Sequence, residues 1–170
     1  MILGRSELLR RLNDNPPLIE GLIDPETQVQ PAGIELTLRK VYRICGAGSI
    51  DFDNSGRIIP KYEELKFNGE WIHLSRGIYI VQYNEVVNMP LDLVAIARPR
   101  SSLVRCGATV ETAVWDPGYR GRSYSLLIVY NEEGIRLKRN ARLVQLVFIK
   151  VMGDTGGGYK GTYQFEGLKQ

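Results

Sequence analysis

A short helical period opens the chain, and strand periods fill most of the remainder. Residues 5–12, Arg-Ser-Glu-Leu-Leu-Arg-Arg-Leu, put Leu8, Leu9 and Leu12 on one face of a helix that Ser6 can cap. Asn13 to Pro17 end it, because proline cannot continue the hydrogen-bonding ladder. Ile34-Glu-Leu-Thr-Leu-Arg then alternates apolar and polar with period two. Residues 77–83, 93–98, 122–130 and 142–151 are rich in β-branched and aromatic side chains, as strands are, and 70–74 reads as a shorter one. Turn chemistry separates them at Asn54-Ser55-Gly56, Asn68-Gly69 and Asn131-Glu132-Glu133-Gly134. Many short strands with regular breaks predict a mainly β fold with short helices: a sandwich, a jelly roll or a distorted barrel.

The chain has 170 residues, enough for one domain with a real core, and no linker, repeat or low-complexity tract divides it. Residues 153–170 differ from the rest. Their glycines are mixed with tyrosines, a lysine and a glutamine, which reads either as a loose tail or as a flap closing on a ligand. No apolar run approaches the ~18 residues of a membrane span, and no signal-peptide pattern opens the chain, so the expected location is the cytoplasm with no membrane partner. A net charge of +3 is too mild to argue for nucleic acid as a partner. Two cysteines, Cys45 and Cys106, and one histidine, His73, cannot supply the zinc set of a metal-dependent nucleobase deaminase.

Three segments carry candidate chemistry. Arg98-Pro99-Arg100-Ser101-Ser102-Leu103-Val104-Arg105-Cys106-Gly107 suits a short helix capped by Ser101 or Ser102 and ended by Gly107. Its hydroxyls and guanidinium groups offer donors to phosphate oxygens, although such sequences also occur in loops that bind nothing. Thr112 to Gly121 contains Asp116-Pro117-Gly118, where Asp116 either starts a turn or presents a reactive carboxylate at a strand end. In the third, Gln145 interrupts the apolar strand 142–151, so its amide needs a partner in the backbone or in a ligand.

Together these segments resemble the ordered motifs of the trimeric dUTPase and dCTP deaminase superfamily. Residues 28–36, Gln-Val-Gln-Pro-Ala-Gly-Ile-Glu-Leu, resemble the first motif, with Glu35 where that motif usually has aspartate. Arg100-Ser101-Ser102-Leu103 resembles the second, 115–121 the third and 142–146 the fourth. Residues 158–164 resemble the C-terminal flap of archaeal members, and the opening Met1-Ile2-Leu3 resembles the start of dCTP deaminases. The resemblance implies a jelly-roll-like distorted β-barrel and a homotrimer with sites at subunit interfaces. It implies that Arg100, Ser101, Ser102 and Gln145 contact a triphosphate, and that Tyr119 packs on the deoxyribose. Tyr159, Lys160, Tyr163 and Gln164 would cover the nucleotide, and Mg2+ would bind the phosphates with few or no protein ligands.

The two branches differ in where water is activated. Deaminases of the family use a glutamate in the strand after Asp-Pro-Gly. Here that strand has Leu126 or Ile128 at the position, and neither moves a proton. Arg105 is more typical of the deaminase branch. Glu111 reads as a surface residue or a contact to the base. The resulting expectation is a dUTP diphosphatase with Asp116 as its water-activating base. The alternatives are dCTP deamination, alone or coupled to hydrolysis, and a catalytically inert nucleotide-binding module.

Overall fold

The strand periods translate into thirteen strands and three short helices among residues 1–168, which the computed structural model describes. In chain order they are α1 (Arg5–Arg11), β1 (Ile19–Glu20), α2 (Pro25–Gln28), β2 (Val29–Gln30), β3 (Gly33–Cys45), β4 (Lys61–Leu65), β5 (Trp71–Leu74), β6 (Gly77–Tyr83), β7 (Val86–Asn88), β8 (Leu93–Pro99), α3 (Ser101–Arg105), β9 (Ala108–Glu111), β10 (Arg120–Gly121), β11 (Tyr124–Val129), β12 (Ile135–Lys138) and β13 (Arg142–Lys150). All strand pairings are antiparallel. The main sheet runs β8-β13-β3-β6-β11-β9, and its edge strands β8 and β9 approach each other, so it is a nearly closed, distorted barrel. Two small sheets, β1-β7-β10 and β5-β12, complete the mainly β, jelly-roll-like fold. No helix among the described residues is long and apolar enough to cross a membrane.

Strand β3 is the spine. Its first half pairs with β13, a register shift falls between Leu38 and Lys40, and its second half pairs with β6 and β4. The expected alternation over 34–39 describes its apolar face correctly but not its polar one. Glu35 and Thr37 are buried along with Ile34, Leu36 and Leu38, because chain packs on both sides of the strand. Gly33 has no side chain for a steric reason: a Cβ there would strike the Leu146 carbonyl and the Gln145 side chain. Ile34, Leu36, Leu38, Leu143, Leu146 and Phe148 fill the interior, each worth roughly 1.5–3 kcal/mol of hydrophobic burial.

Two expected caps are absent. The N-cap of α1 is Gly4 and that of α3 is Arg100, and neither makes a side-chain cap bond, so Ser6, Ser101 and Ser102 lie inside the helices rather than ahead of them. Both helices are held by their buried leucines, Leu8 and Leu103, instead. Gly107 follows α3 in the left-handed conformation, φ 76°, as expected of a helix end. Strands β4 and β12 fall in segments whose charged residues mask their period. In β12, Ile135 and Leu137 point inward while Arg136 and Lys138 point out.

Candidate active site

Asp116 is carried on a tight turn whose geometry follows from its neighbours. Pro117 and the left-handed Gly118, φ 82°, occupy its centre, and the Tyr119 amide donates to the Asp116 carbonyl at 3.1 Å, a type II turn. Both ends are fixed to the frame. Trp115 exchanges two backbone hydrogen bonds of 3.0 Å with Ala95 of β8. The Gly118 amide donates to the Met89 carbonyl at 3.0 Å, and the Met89 amide donates to that of Tyr119 at 2.8 Å. The Asp116 side chain is exposed at the edge of a cavity of about 200 Å³. That cavity is lined by Trp115, Tyr119, Ser123 and Tyr124 from the frame, and by Tyr159, Tyr163 and Glu166 from the C-terminal segment.

The C-terminal segment, from Gly153 onward, has no strand or helix among its described residues and lies back on the turn of its own chain. The Tyr159 amide donates to the Pro117 carbonyl at 2.7 Å, the Phe165 amide to that of Arg120 at 2.7 Å, and the Arg122 amide to that of Glu166 at 2.8 Å. Gln164 accepts from the Arg120 amide at 2.9 Å and donates to the Gly118 carbonyl at 2.9 Å, so its amide is used to dock the segment. The Tyr159 ring meets that of Tyr119 edge-on, with centroids 5.8 Å apart. Arg57, from the long β3–β4 connection, donates to the Thr162 hydroxyl at 2.9 Å and lies 6.0 Å from the Tyr163 ring centre. Lys160 is exposed beside them.

The basic residues form a separate cluster. Buried Glu35 receives the Arg100 guanidinium at 2.6 Å on one oxygen and that of Arg142 at 2.8 Å on the other. Two cations on one carboxylate leave a net positive charge, and they keep Glu35 from acting as a free ligand. Ser101, Ser102 and Arg105 are exposed on α3. Gln145 is half-buried in β13, opposite Glu35 of β3 and Arg98 of β8. None of these residues lines the Asp116 cavity, so one chain presents an acidic, aromatic half and a basic, hydroxyl-bearing half apart from each other. A larger cavity, about 560 Å³, lies behind the turn between residues 11–18 and 88–91, where Arg11 and Asp14 are paired with each other.

Strand β11 carries Leu126 and Ile128 on its outward face, half-buried, and no acid. Glu111 of β9 stands directly opposite Leu126 but is exposed and does not line the cavity. Sequence reasoning missed Ser123, Tyr124 and Glu166 as cavity residues and Arg142 as a partner of Glu35. Glu166 left one faint signal: within the tyrosine-bearing stretch that follows Asp154, it is the sole carboxylate. Among the described residues no cluster of three acid, cysteine or histidine side chains is able to hold a metal ion.

A family model described as dCTP deaminase-like matches residues 2–151. The chain belongs to the dCTP deaminase-like family. Relatives of this dCTP deaminase-like protein include one from Methanosarcina mazei, 55% identical over 166 residues that cover 97% of either chain, named as a probable deoxyuridine 5'-triphosphate nucleotidohydrolase. A Methanocaldococcus jannaschii protein named as a deoxyuridine 5'-triphosphate nucleotidohydrolase is 43% identical over 142 residues, covering 82% of this chain and 88% of that one. Among solved structures, the 2'-deoxycytidine 5'-triphosphate deaminase of Agrobacterium tumefaciens superposes with a TM-score of 0.64 at 25% identity, over 86% of this chain. The dCTP deaminase-like chain spans about half the length of that enzyme, 47% of which is covered.

Proposed function

We propose that the chain hydrolyses dUTP to dUMP and pyrophosphate. The observation that carries this reading is the exposed carboxylate of Asp116 on a tight turn at the cavity edge, with only Leu126 and Ile128 on β11 where a deaminase would need a second acid. Water held by Asp116 attacks the α-phosphorus. Asp116 takes its proton, the bond from the α-phosphorus to the bridging oxygen breaks, and pyrophosphate leaves with that electron pair. The names of the Methanosarcina and Methanocaldococcus relatives support this substrate.

Arg100, Ser101, Ser102, Arg105 and Gln145 bind the triphosphate and offset its developing charge. Tyr119 packs on the sugar, and Tyr159, Lys160, Tyr163 and Gln164 close the cavity. Because the two halves are apart within one chain, the site is completed at a subunit interface, in a homotrimer. The outward face of β6 and β11, with Ile78 54% exposed beside Ile128, supports such a contact. The donor set does not suit a protein-held metal, since Glu35 is taken by two arginines. Mg2+ carried by the phosphates would supply charge neutralisation there.

Deamination of dCTP is the second reading, favoured by the fold likeness to the Agrobacterium deaminase. Incubation with dUTP, dCTP and dTTP in parallel, with magnesium present, separates the two. Release of dUMP and pyrophosphate from dUTP alone is expected, and uracil nucleotides formed from dCTP overturn it. Asp116→Ala lowers kcat by about 10²–10⁴, the usual loss for a positioned base, with an unchanged thermal midpoint. Wild-type turnover in that variant removes Asp116 from the mechanism.

A further inference from the structure

One chain of hydrogen bonds crosses the wall of the Asp116 cavity and ends on the C-terminal segment. The Trp115 indole N–H donates to the Ser123 hydroxyl at 2.7 Å. The Ser123 and Tyr119 hydroxyl oxygens are 3.0 Å apart, and the Tyr119 hydroxyl donates to Glu166 Oε1 at 2.8 Å. The Tyr119 hydroxyl donates its one proton to the carboxylate, so in its bond with Ser123 it accepts, and Ser123 in turn accepts from the indole. Trp115 gives to Ser123, Ser123 to Tyr119, and Tyr119 to the carboxylate of Glu166. Burial pushes the Tyr119 hydroxyl up from its ordinary range, and the neighbouring Glu166 adds to this, so tyrosine keeps the proton it donates.

The surroundings are shaped for this link. Gly121 has no side chain where one would meet the Tyr119 hydroxyl oxygen at 2.5 Å and the Glu166 side chain at 3.2 Å. Trp115, Tyr119 and Ser123 are each less than a tenth exposed, so their polar atoms have little water to exchange with. Burial also pushes the Glu166 carboxyl above its ordinary range, while the bond from Tyr119 pulls it down. The segment's other polar attachments to the turn, through Tyr159, Gln164 and Phe165, end on backbone atoms. Glu166 alone among these reaches a side chain of the cavity wall.

We infer that Glu166 is a positioning residue, which accepts the last bond of the Trp115–Ser123–Tyr119 chain and thereby fixes the cavity wall and docks the C-terminal segment as one unit. The consequence for turnover rests on the dUTP reading above, whereas the docking consequence does not. With Glu166 in place, Tyr119 is held in one rotamer before the nucleotide arrives, so binding does not have to order it. Without it, the Tyr119 hydroxyl is left buried and unpaired on one side, and the segment loses its only hydrogen bond to a wall side chain among the described residues.

The test compares Glu166→Ala, Glu166→Gln, Tyr119→Phe and the double variant Tyr119→Phe with Glu166→Ala. The amide oxygen of glutamine accepts as the carboxylate does, so the Gln variant keeps the chain. In the Ala variant, KM for dUTP rises about tenfold, the size of one lost hydrogen bond to a buried group, while kcat holds. Cleavage by trypsin between Lys160 and Gly161, followed by mass spectrometry, accelerates to a similar degree. Glu166→Gln restores both readouts. The double variant is no worse than either single one, because both remove the same bond. The inference is overturned if Glu166→Ala keeps the wild-type KM and cleavage rate, if Glu166→Gln behaves like Ala, or if the two single effects add. A wild-type protein that releases no pyrophosphate from dUTP sinks the substrate assignment instead, and the trypsin comparison still decides the role of Glu166.

Discussion

Glu85 illustrates how a buried acid is tolerated in this fold. It is fully buried, and its two oxygens accept from the Gln28 amide at 2.7 Å, the Thr37 hydroxyl at 2.6 Å and the Thr37 backbone amide at 2.9 Å. Burial raises its pKa above the ordinary 4.5, and those three bonds pull the other way. A carboxyl whose folded value is raised contributes stability that is complete below the unfolded value and fades as pH rises through the folded one. Glutamine at this position removes the titration and turns an N–H toward a donor, at a cost of about 1–3 kcal/mol. Urea midpoints of wild type and Glu85→Gln at about pH 5.5 and pH 8 therefore differ more at the lower pH. A gap that narrows on acidification contradicts the direction of the shift. At this scale the sequence exposes the turn at Asp116 well, because Asp-Pro-Gly encodes it within three residues. It hides Glu85, Glu166 and the partners of Glu35. Thr37 is 48 positions from Glu85, Tyr119 is 47 from Glu166, and Arg142 is 107 from Glu35, so no local pattern records those pairs.

Elements were legible in proportion to how strongly one face is buried. The sequence marks β6 to its end residues, and β11 and β13 within two at each end, since their buried positions are mostly apolar, with Gln82 and Ser125 as the polar exceptions. β4 was not read, because Lys61, Tyr62 and Glu63 are exposed and no buried residue marks its period. The C-terminal segment stands out by composition, but its docking does not. That docking depends on two glycines set back to back. Gly158, φ 80°, would place a Cβ 2.6 Å from the Leu91 side chain and 2.9 Å from the Pro117 carbonyl, and Gly118 would place one 3.1 Å from the Tyr159 amide. Gly158→Ala adds the strain of a left-handed residue, about 1–2 kcal/mol, to that clash. The expected outcome is a KM raised about tenfold or more, since that strain alone is worth a factor of ten in docking. The thermal midpoint stays at the wild-type value, because the turn-rich segment is peripheral to the barrel strands. A variant with wild-type KM means that the nucleotide site does not need the docked segment.

At the scale of the whole molecule, the separation of the two proposed half-sites makes the proposed assembly testable without a structure of it. Asp116 and the aromatic cavity lie on one part of the chain, and Ser101, Ser102 and Arg105 are exposed on another. If a neighbour supplies the second half, two differently disabled subunits repair each other. The choice of lesion matters. Arg100→Ala would strand the buried Glu35 with one fewer cation and risk the fold, whereas the serines are exposed and make no such pair. Asp116→Ala subunits and subunits carrying both Ser101→Ala and Ser102→Ala are each expected to be nearly inactive alone. Co-expressed in equal amounts with distinct tags, and purified through both, they are recovered as mixed rings. A site works only where a subunit with an intact Asp116 faces one with intact serines, which holds for about one interface in three of a mixed trimer. Activity near that fraction of wild type, from two parents that have almost none, supports shared sites. Activity no higher than the parents' means that each chain assembles its site alone, and it would then have to bring α3 to the Asp116 cavity by a movement of its own.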